Sequence, residues 1–325
     1  MELRPLSGYN LRGQQEGIIV NKKLDAYAAA VIMCVIFGSS YIAMKIALRS
    51  INPMTIVFFR YLFAALLLYA IYFLSGTKEK IRRQDLPGLI FLCILEPGFF
   101  FIFDAYGLSY TTAIRASILL STIPVLTAVV AALIIKEKLT PLKLFTTIGS
   151  VAGVVLVISS QEASGNKSEY LFGDLLIFGA CVSAAFYTTY ARRMSFKYSF
   201  FTITRFQSLV AVIFFLPIAA GELIKKGLPS PTLSSSAAVI YLGLASSAIG
   251  YMLLNFTIAR LSAANSSIFS NLIPVVTMAL SAIILHETVG IRKIAGLAVI
   301  LFFIFLLSWG ERKNDFRSIK AANRK

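Results

Sequence analysis

Glu96 and Asp104 are the two residues on which chemistry would turn. Both stand inside one long apolar run, residues 86–108. A carboxylate in hydrocarbon is costly unless it meets a partner or water. In Leu95-Glu96-Pro97-Gly98 the proline removes a backbone donor and the glycine loosens the helix, so carbonyls near the break are expected to be open to a ligand. Glu96 is a candidate proton carrier or a partner for a substrate ammonium. The competing reading is a protonated Glu hydrogen-bonded to a neighbouring helix. Asp104 lies eight residues further along, near two turns and on the same face. Arg115 opens the next apolar run at similar depth, so an Asp104–Arg115 pair is expected, either as static charge neutralisation or as an outer gate.

Uncharged polar residues fall in stripes at helical spacing: Ser39, Ser40 and Tyr41; Ser117 and Ser121; Ser183, Tyr187 and Tyr190; Ser247, Tyr251 and Asn255; Ser267, Ser270 and Asn271. Such stripes line a wet cavity or bond helices together. The candidate substrate-binding set is Ser40, Tyr41, Glu96, Ser121, Tyr187, Tyr251, Asn255 and Asn271. Pro97, Pro124 and Pro274 are candidate hinges, with a static packing kink as the alternative. Arg60 and Arg205, at matching places, are expected to be scaffolding.

Catalytic material is scarce. The single histidine, His286, sits beside Glu287, and Cys34, Cys93 and Cys181 each lie in an apolar run. There is no HExxH-type spacing and no GxxxxGK[ST] loop. The expectation is a protein that is not an enzyme, with no catalytic residues, no metal, no cofactor and no direct nucleotide drive.

The elements that must carry these residues are membrane helices. Of 325 residues 58% are hydrophobic and 14% charged, and the apolar runs are long enough to cross a hydrocarbon core of roughly 30 Å. Barrel strands would be short and alternating. Ten spans are expected, at 25–47, 53–74, 86–108, 113–135, 141–160, 171–191, 199–220, 236–258, 263–285 and 290–309. The net charge of +16 is carried mostly by short loops and tails, which argues against a nucleic-acid partner and for orientation in a bilayer. Basic residues such as Arg82, Arg83, Arg192, Arg193 and those of both tails fall on one side. Arg49, Lys167, Lys225 and Lys226 fall on the other, so both termini are expected in the cytoplasm. Arg292 and Lys293 run against the rule. No cleavable leader is read in the polar first 24 residues.

The chain also repeats itself. Ala116–Thr127, around Pro124, matches Ser266–Thr277, around Pro274, and the same offset of 150 carries Glu137 onto Glu287. Arg60 matches Arg205 at an offset of 145. Five spans per copy is an odd number, so the second copy enters the membrane from the opposite face, and a site is expected between the halves. The expected divisions are a tail at 1–24, a first repeat at 25–160, a linker at 161–170, a second repeat at 171–309 and a basic tail at 310–325.

Phe37-Gly38-Ser39-Ser40-Tyr41-Ile42-Ala43-Met44-Lys45, followed by Pro53 and Arg60, resembles the opening signature of the EamA branch of the drug/metabolite transporter superfamily. Ile123-Pro124-Val125 with Lys136-Glu137-Lys138, and Ile273-Pro274-Val275 with His286-Glu287, resemble its closing signature in two copies. The likeness covers about residues 25 to 310, departing at Phe37, where Trp is usual, and at Val182-Ser183. It implies an all-α integral membrane fold of ten transmembrane helices, as two inverted five-helix repeats around a central cavity, in the cell membrane. It also implies secondary transport, as export or exchange, of small metabolites such as amino acids or related amphipathic compounds. A channel-like pore and a membrane-embedded enzyme are the alternatives. The expected partners are the bilayer, a small-molecule substrate and, through Glu96, a coupled proton.

Overall fold

A computed structural model describes residues 9–76, 79–135, 141–159, 167–260 and 272–322, and every regular element among them is helical. In chain order these are α1 (Tyr9–Ala47), α2 (Pro53–Ser75), α3 (Leu86–Cys93), α4 (Phe100–Tyr110), α5 (Ala113–Leu120), α6 (Ile123–Ile135) and α7 (Pro141–Ile158). There follow α8 (Lys167–Met194), α9 (Phe200–Lys226), α10 (Leu233–Tyr241), α11 (Tyr251–Arg260), α12 (Leu272–Leu280) and α13 (Ile291–Ala322). Among the described residues seven helical stretches are long and apolar enough to cross a membrane. Large apolar side chains such as Leu66, Phe73, Ile148, Leu175, Ile213 and Phe302 lie more than half exposed. Water would not tolerate such a surface and lipid would.

Proline starts α2 and stands in the first turn of α3 and of α6, where its missing N–H is not needed. Other starts are capped from a distance. Glu222, near the end of α9, accepts Met54 N at 3.0 Å and Thr55 N at 3.1 Å at the start of α2. Glu79, just beyond α2, accepts Ser199 N at 3.2 Å at the start of α9. Each helix thus ends with the carboxylate that quiets the positive end of the other. Burial would raise the Glu79 carboxyl, but hydrogen bonds from Ser199 and Thr202 outweigh it and hold the group below the usual range. Glu287 does the same work for α5, accepting Ala113 N at 2.9 Å and Ile114 N at 3.1 Å.

Wide helical turns interrupt two stretches at corresponding places, Ile94–Phe99 between α3 and α4, and Leu242–Gly250 between α10 and α11. Within the first, Glu96 leaves helical geometry altogether (φ −146°, ψ 117°). The run 113–135 is broken too. Its break falls at Ser121-Thr122, ahead of the kink expected at Pro124, and the Thr122 carbonyl starts α6 by accepting Val125 N and Leu126 N, both at 3.0 Å. Pro124 therefore sits in a first turn and kinks no helix interior. Pro274 lies in the first turns of α12.

Glycine sets the closest approaches. A Cβ on Gly153 of α7 would lie 2.7 Å from Ile300 Cγ1 and 2.9 Å from the Gly296 carbonyl of α13. The small-residue face at Gly149 and Gly153 is thus used within the chain, against α13. Gly153→Val should lower stability by about 1–3 kcal/mol, because backbone atoms cannot move aside as a side-chain tip can. Gly221→Ala is the control, since its Cβ would meet nothing within 4 Å. Thermal unfolding in detergent reads both, and equal midpoints would refute the packing argument.

Candidate functional site

A cavity of about 100 Å³ lies where the two wide turns face each other. At about 10–15 Å³ per water on this measure, it holds several waters or a small organic molecule. Phe37, Ser40, Tyr41 and Met44 reach it from α1, Arg60 from α2, and Glu96 from the first wide turn. Phe100, Phe101 and Asp104 of α4, Thr188 of α8, Ser246 of the second wide turn, Tyr251 of α11 and Ile273 of α12 complete most of the wall.

The charged groups are held in place by hydroxyls. Tyr41 Oη donates to Asp104 Oδ1 at 3.1 Å, and Tyr251 Oη donates to Glu96 Oε1. Arg60 donates from Nε to Ser247 Oγ at 2.8 Å and from Nη2 to Ser246 Oγ at 3.0 Å. Its guanidinium also lies 4.4 Å above the centre of the Phe101 ring, a cation–π contact. The Tyr251 ring meets Phe37 edge-on at 5.5 Å and Phe101 at 6.1 Å. Apolar walls thus enclose two carboxylates and one guanidinium, all at least nine-tenths buried.

Four of the expected substrate-binding residues, Ser40, Tyr41, Glu96 and Tyr251, line this cavity. Tyr187 and Asn255 lie in a closed network beside it. Tyr187 Oη donates to Asn255 Oδ1 at 2.7 Å, and Asn255 Nδ2 donates to Thr204 Oγ1 and Gln207 Oε1, both at 3.0 Å. A large amide is costly to hide, but here both its oxygen and its nitrogen find partners. Ser121 is buried in the α5–α6 break, and Asn271 lies outside the described residues, as do Ser267, Ser270 and Glu137.

Three further expectations are corrected. Two of the carbonyls near the break at Pro97 already have partners: Gln207 Nε2 donates to the Glu96 carbonyl at 2.9 Å, and Ser183 Oγ to that of Leu95 at 2.7 Å. The Asp104–Arg115 pair gives way to another. Arg115 forms its ion pair with Asp174 of α8, at 3.1 and 3.2 Å from Nε to the two carboxylate oxygens, and Asp104 turns inward to Tyr41. Arg60 is not mere scaffolding, because it lines the cavity, whereas its sequence counterpart Arg205 rests 3.6 Å over the Tyr72 ring. The signal for Arg60 was available: a cation in mid-span at the depth of Glu96 and Asp104 is as unusual as they are.

The cavity offers two carboxylates, a guanidinium, hydroxyls and aromatic rings. Among the described residues no group of His, Cys, Asp and Glu could hold a metal, and the three cysteines are buried and apart. What it can do is bind a small solute by charge, hydroxyl and ring.

The family model described as "EamA-like transporter family" matches twice, at residues 25–159 and 171–309. The chain is 31% identical over 290 residues to the uncharacterized transporter YcxC of Bacillus subtilis (strain 168), covering 87% of this chain and 93% of that one. It is 27% identical to the uncharacterized transporter YetK of the same organism, over 92% and 91% of the two chains. An uncharacterized transporter of Archaeoglobus fulgidus is 26% identical over 83% of this chain and 94% of its own. A solved crystal structure superposes with a TM-score of 0.65 at 17% identity, covering 89% of this chain and 98% of the other, a likeness of fold alone. A membrane-embedded helical bundle with a buried polar cavity, matched by one transporter family twice along its length, belongs to the EamA-like transporter family.

Proposed function

We propose that the protein is a secondary transporter of small amphipathic metabolites, working by alternating access between two inverted five-helix repeats. One observation carries this. The cavity is built jointly by the two family-matched segments, residues 25–159 and 171–309, with its ionisable groups well inside apolar runs. A solute bound there touches both halves, so a rocking of one half against the other would move the opening and leave the site in place.

On this reading the ten spans of the sequence cross the cell membrane and both tails face the cytoplasm. The break at Ser121-Thr122, the wide turn holding Pro97 and the start of α12 at Pro274 are where the helices bend. Glu96 is the proton carrier, its electrostatic neighbours being Asp104, Tyr61, Tyr187 and Tyr251. Export or exchange is the mode.

Counterflow in proteoliposomes tests the carrier. Vesicles loaded with unlabelled solute should accumulate labelled solute transiently, with saturation as its concentration rises. Flux that never saturates, or currents far above carrier turnover, would instead mark a pore.

A further inference from the structure

The cavity's charges do not balance, and the imbalance names a ligand. Its wall contains Glu96, Asp104 and Arg60 as the charged groups among the described residues. The segment 261–271, outside those residues, contains no Asp, Glu, Lys, Arg or His. With both acids ionised the chamber has a net charge of −1 in surroundings where an uncompensated charge is expensive. A monocation brings it to zero. A zwitterion leaves it at −1, and an anion takes it to −2.

The hydrogen bonds point the same way. Each carboxylate has one oxygen held by a tyrosine, Oδ1 of Asp104 and Oε1 of Glu96. The second oxygen of each accepts no hydrogen bond among the described residues, although both side chains are buried and line the cavity. They are two acceptors that face the cavity. The guanidinium is differently placed. Its side-on edge, Nε with one N–H of Nη2, is spent on Ser247 and Ser246, and one flat face is covered by Phe101, which leaves only the Nη1 end for a carboxylate. An ammonium is therefore better served, by two carboxylate oxygens, than a carboxylate. The aromatic rings of Phe37, Phe100 and Tyr251 supply an apolar wall and π faces for the rest of such a molecule.

Resting on the reading of this cavity as a substrate chamber, we propose that it selects a monocationic amine with an apolar or aryl body and no carboxylate, held between the free oxygens of Glu96 and Asp104. The idea separates molecules of nearly one shape: L-phenylalaninamide from L-phenylalanine, and 2-phenylethylamine from 3-phenylpropionate.

The test uses the full chain purified in detergent, with thermal unfolding and a binding titration for each of the four compounds at pH 7. The two amines lacking a carboxylate should raise the unfolding midpoint and bind, and L-phenylalanine and 3-phenylpropionate should not. Asp104→Asn should weaken amine binding roughly 10- to 100-fold, the value of a hydrogen bond to a charged group. Arg60→Gln removes the cavity's one cation and should tighten amine binding. Binding of L-phenylalanine as tight as its amide, or no response to either amine, overturns the proposal. If Asp104→Asn does not fold, the four compounds on the unaltered protein decide alone. Counterflow with the same compounds separates the two readings. Exchange of L-phenylalanine in place of the amide would end the amine selectivity and keep the carrier. Binding of the amide without exchange of any compound would end the carrier and keep the selectivity.

Discussion

Asp174→Asn should cost the protein about 3–5 kcal/mol, the usual consequence of removing one partner of a buried ion pair. Arg115 and Asp174 are 2% and 0% exposed, and the guanidinium donates to both oxygens of the carboxylate. Thr111 Oγ1 adds a hydrogen bond to Asp174 at 2.7 Å, and the Tyr170 ring lies 5.7 Å from the guanidinium. The pair fastens the start of α5 to α8 at the same corner where Glu287 caps α5. Asparagine keeps the shape and the bond from Thr111, but it removes the carboxylate charge that both Nε contacts address. Thermal unfolding should show a large loss for Asp174→Asn. The doubly apolar variant Arg115→Met with Asp174→Leu should recover most of it, because it removes the buried charge along with its partner. A single variant as stable as the parent would show the pair to be solvated and dispensable.

The sequence made Glu96 and Asp104 stand out because a carboxylate in an apolar run is costly without a partner. It did not make their partners legible. Arg115 lies eleven positions from Asp104 but pairs with Asp174, 59 residues on. Periodicity tells which face a residue occupies and is silent on which helix packs there. Tyr187 and Asn255 show the same limit: their spacing marked a polar face correctly, yet only the arrival of Gln207 and Thr204 from α9 turned that face into a closed network. Arg60 was misjudged by leaning on symmetry. Its counterpart Arg205 meets Tyr72, whereas Arg60 meets Ser246 and Ser247, because repeats that share a backbone plan need not share neighbours. The helix break near Pro124 was legible to within a few residues. Its position was not, since proline is comfortable in a first turn and the preceding residues take the break.

Glu96→Gln should abolish uphill transport driven by a pH gradient while sparing exchange at equal pH. The substitution conserves volume and still presents an oxygen to the Tyr251 hydroxyl, the one hydrogen bond to this side chain among the described residues. It removes the capacity to gain and lose a proton. In the proposed mechanism the cation and the proton compete for the Glu96 carboxylate, so that one leaves as the other arrives. A side chain that cannot ionise still lets the halves rock around a bound solute, because Asp104 and the aromatic wall remain, but it cannot tie that movement to a proton. Gradient-driven uptake into proteoliposomes should fall to its level without a pH gradient, and its pH dependence should flatten. Counterflow should persist at reduced affinity. The parallel Asp104→Asn variant separates a coupling role from a general need for negative charge: it should weaken affinity and leave the pH dependence of what remains. Unchanged pH-driven uptake in Glu96→Gln would remove Glu96 from the coupling mechanism, and an equal loss of pH response in both variants would make the coupling a property of the pair.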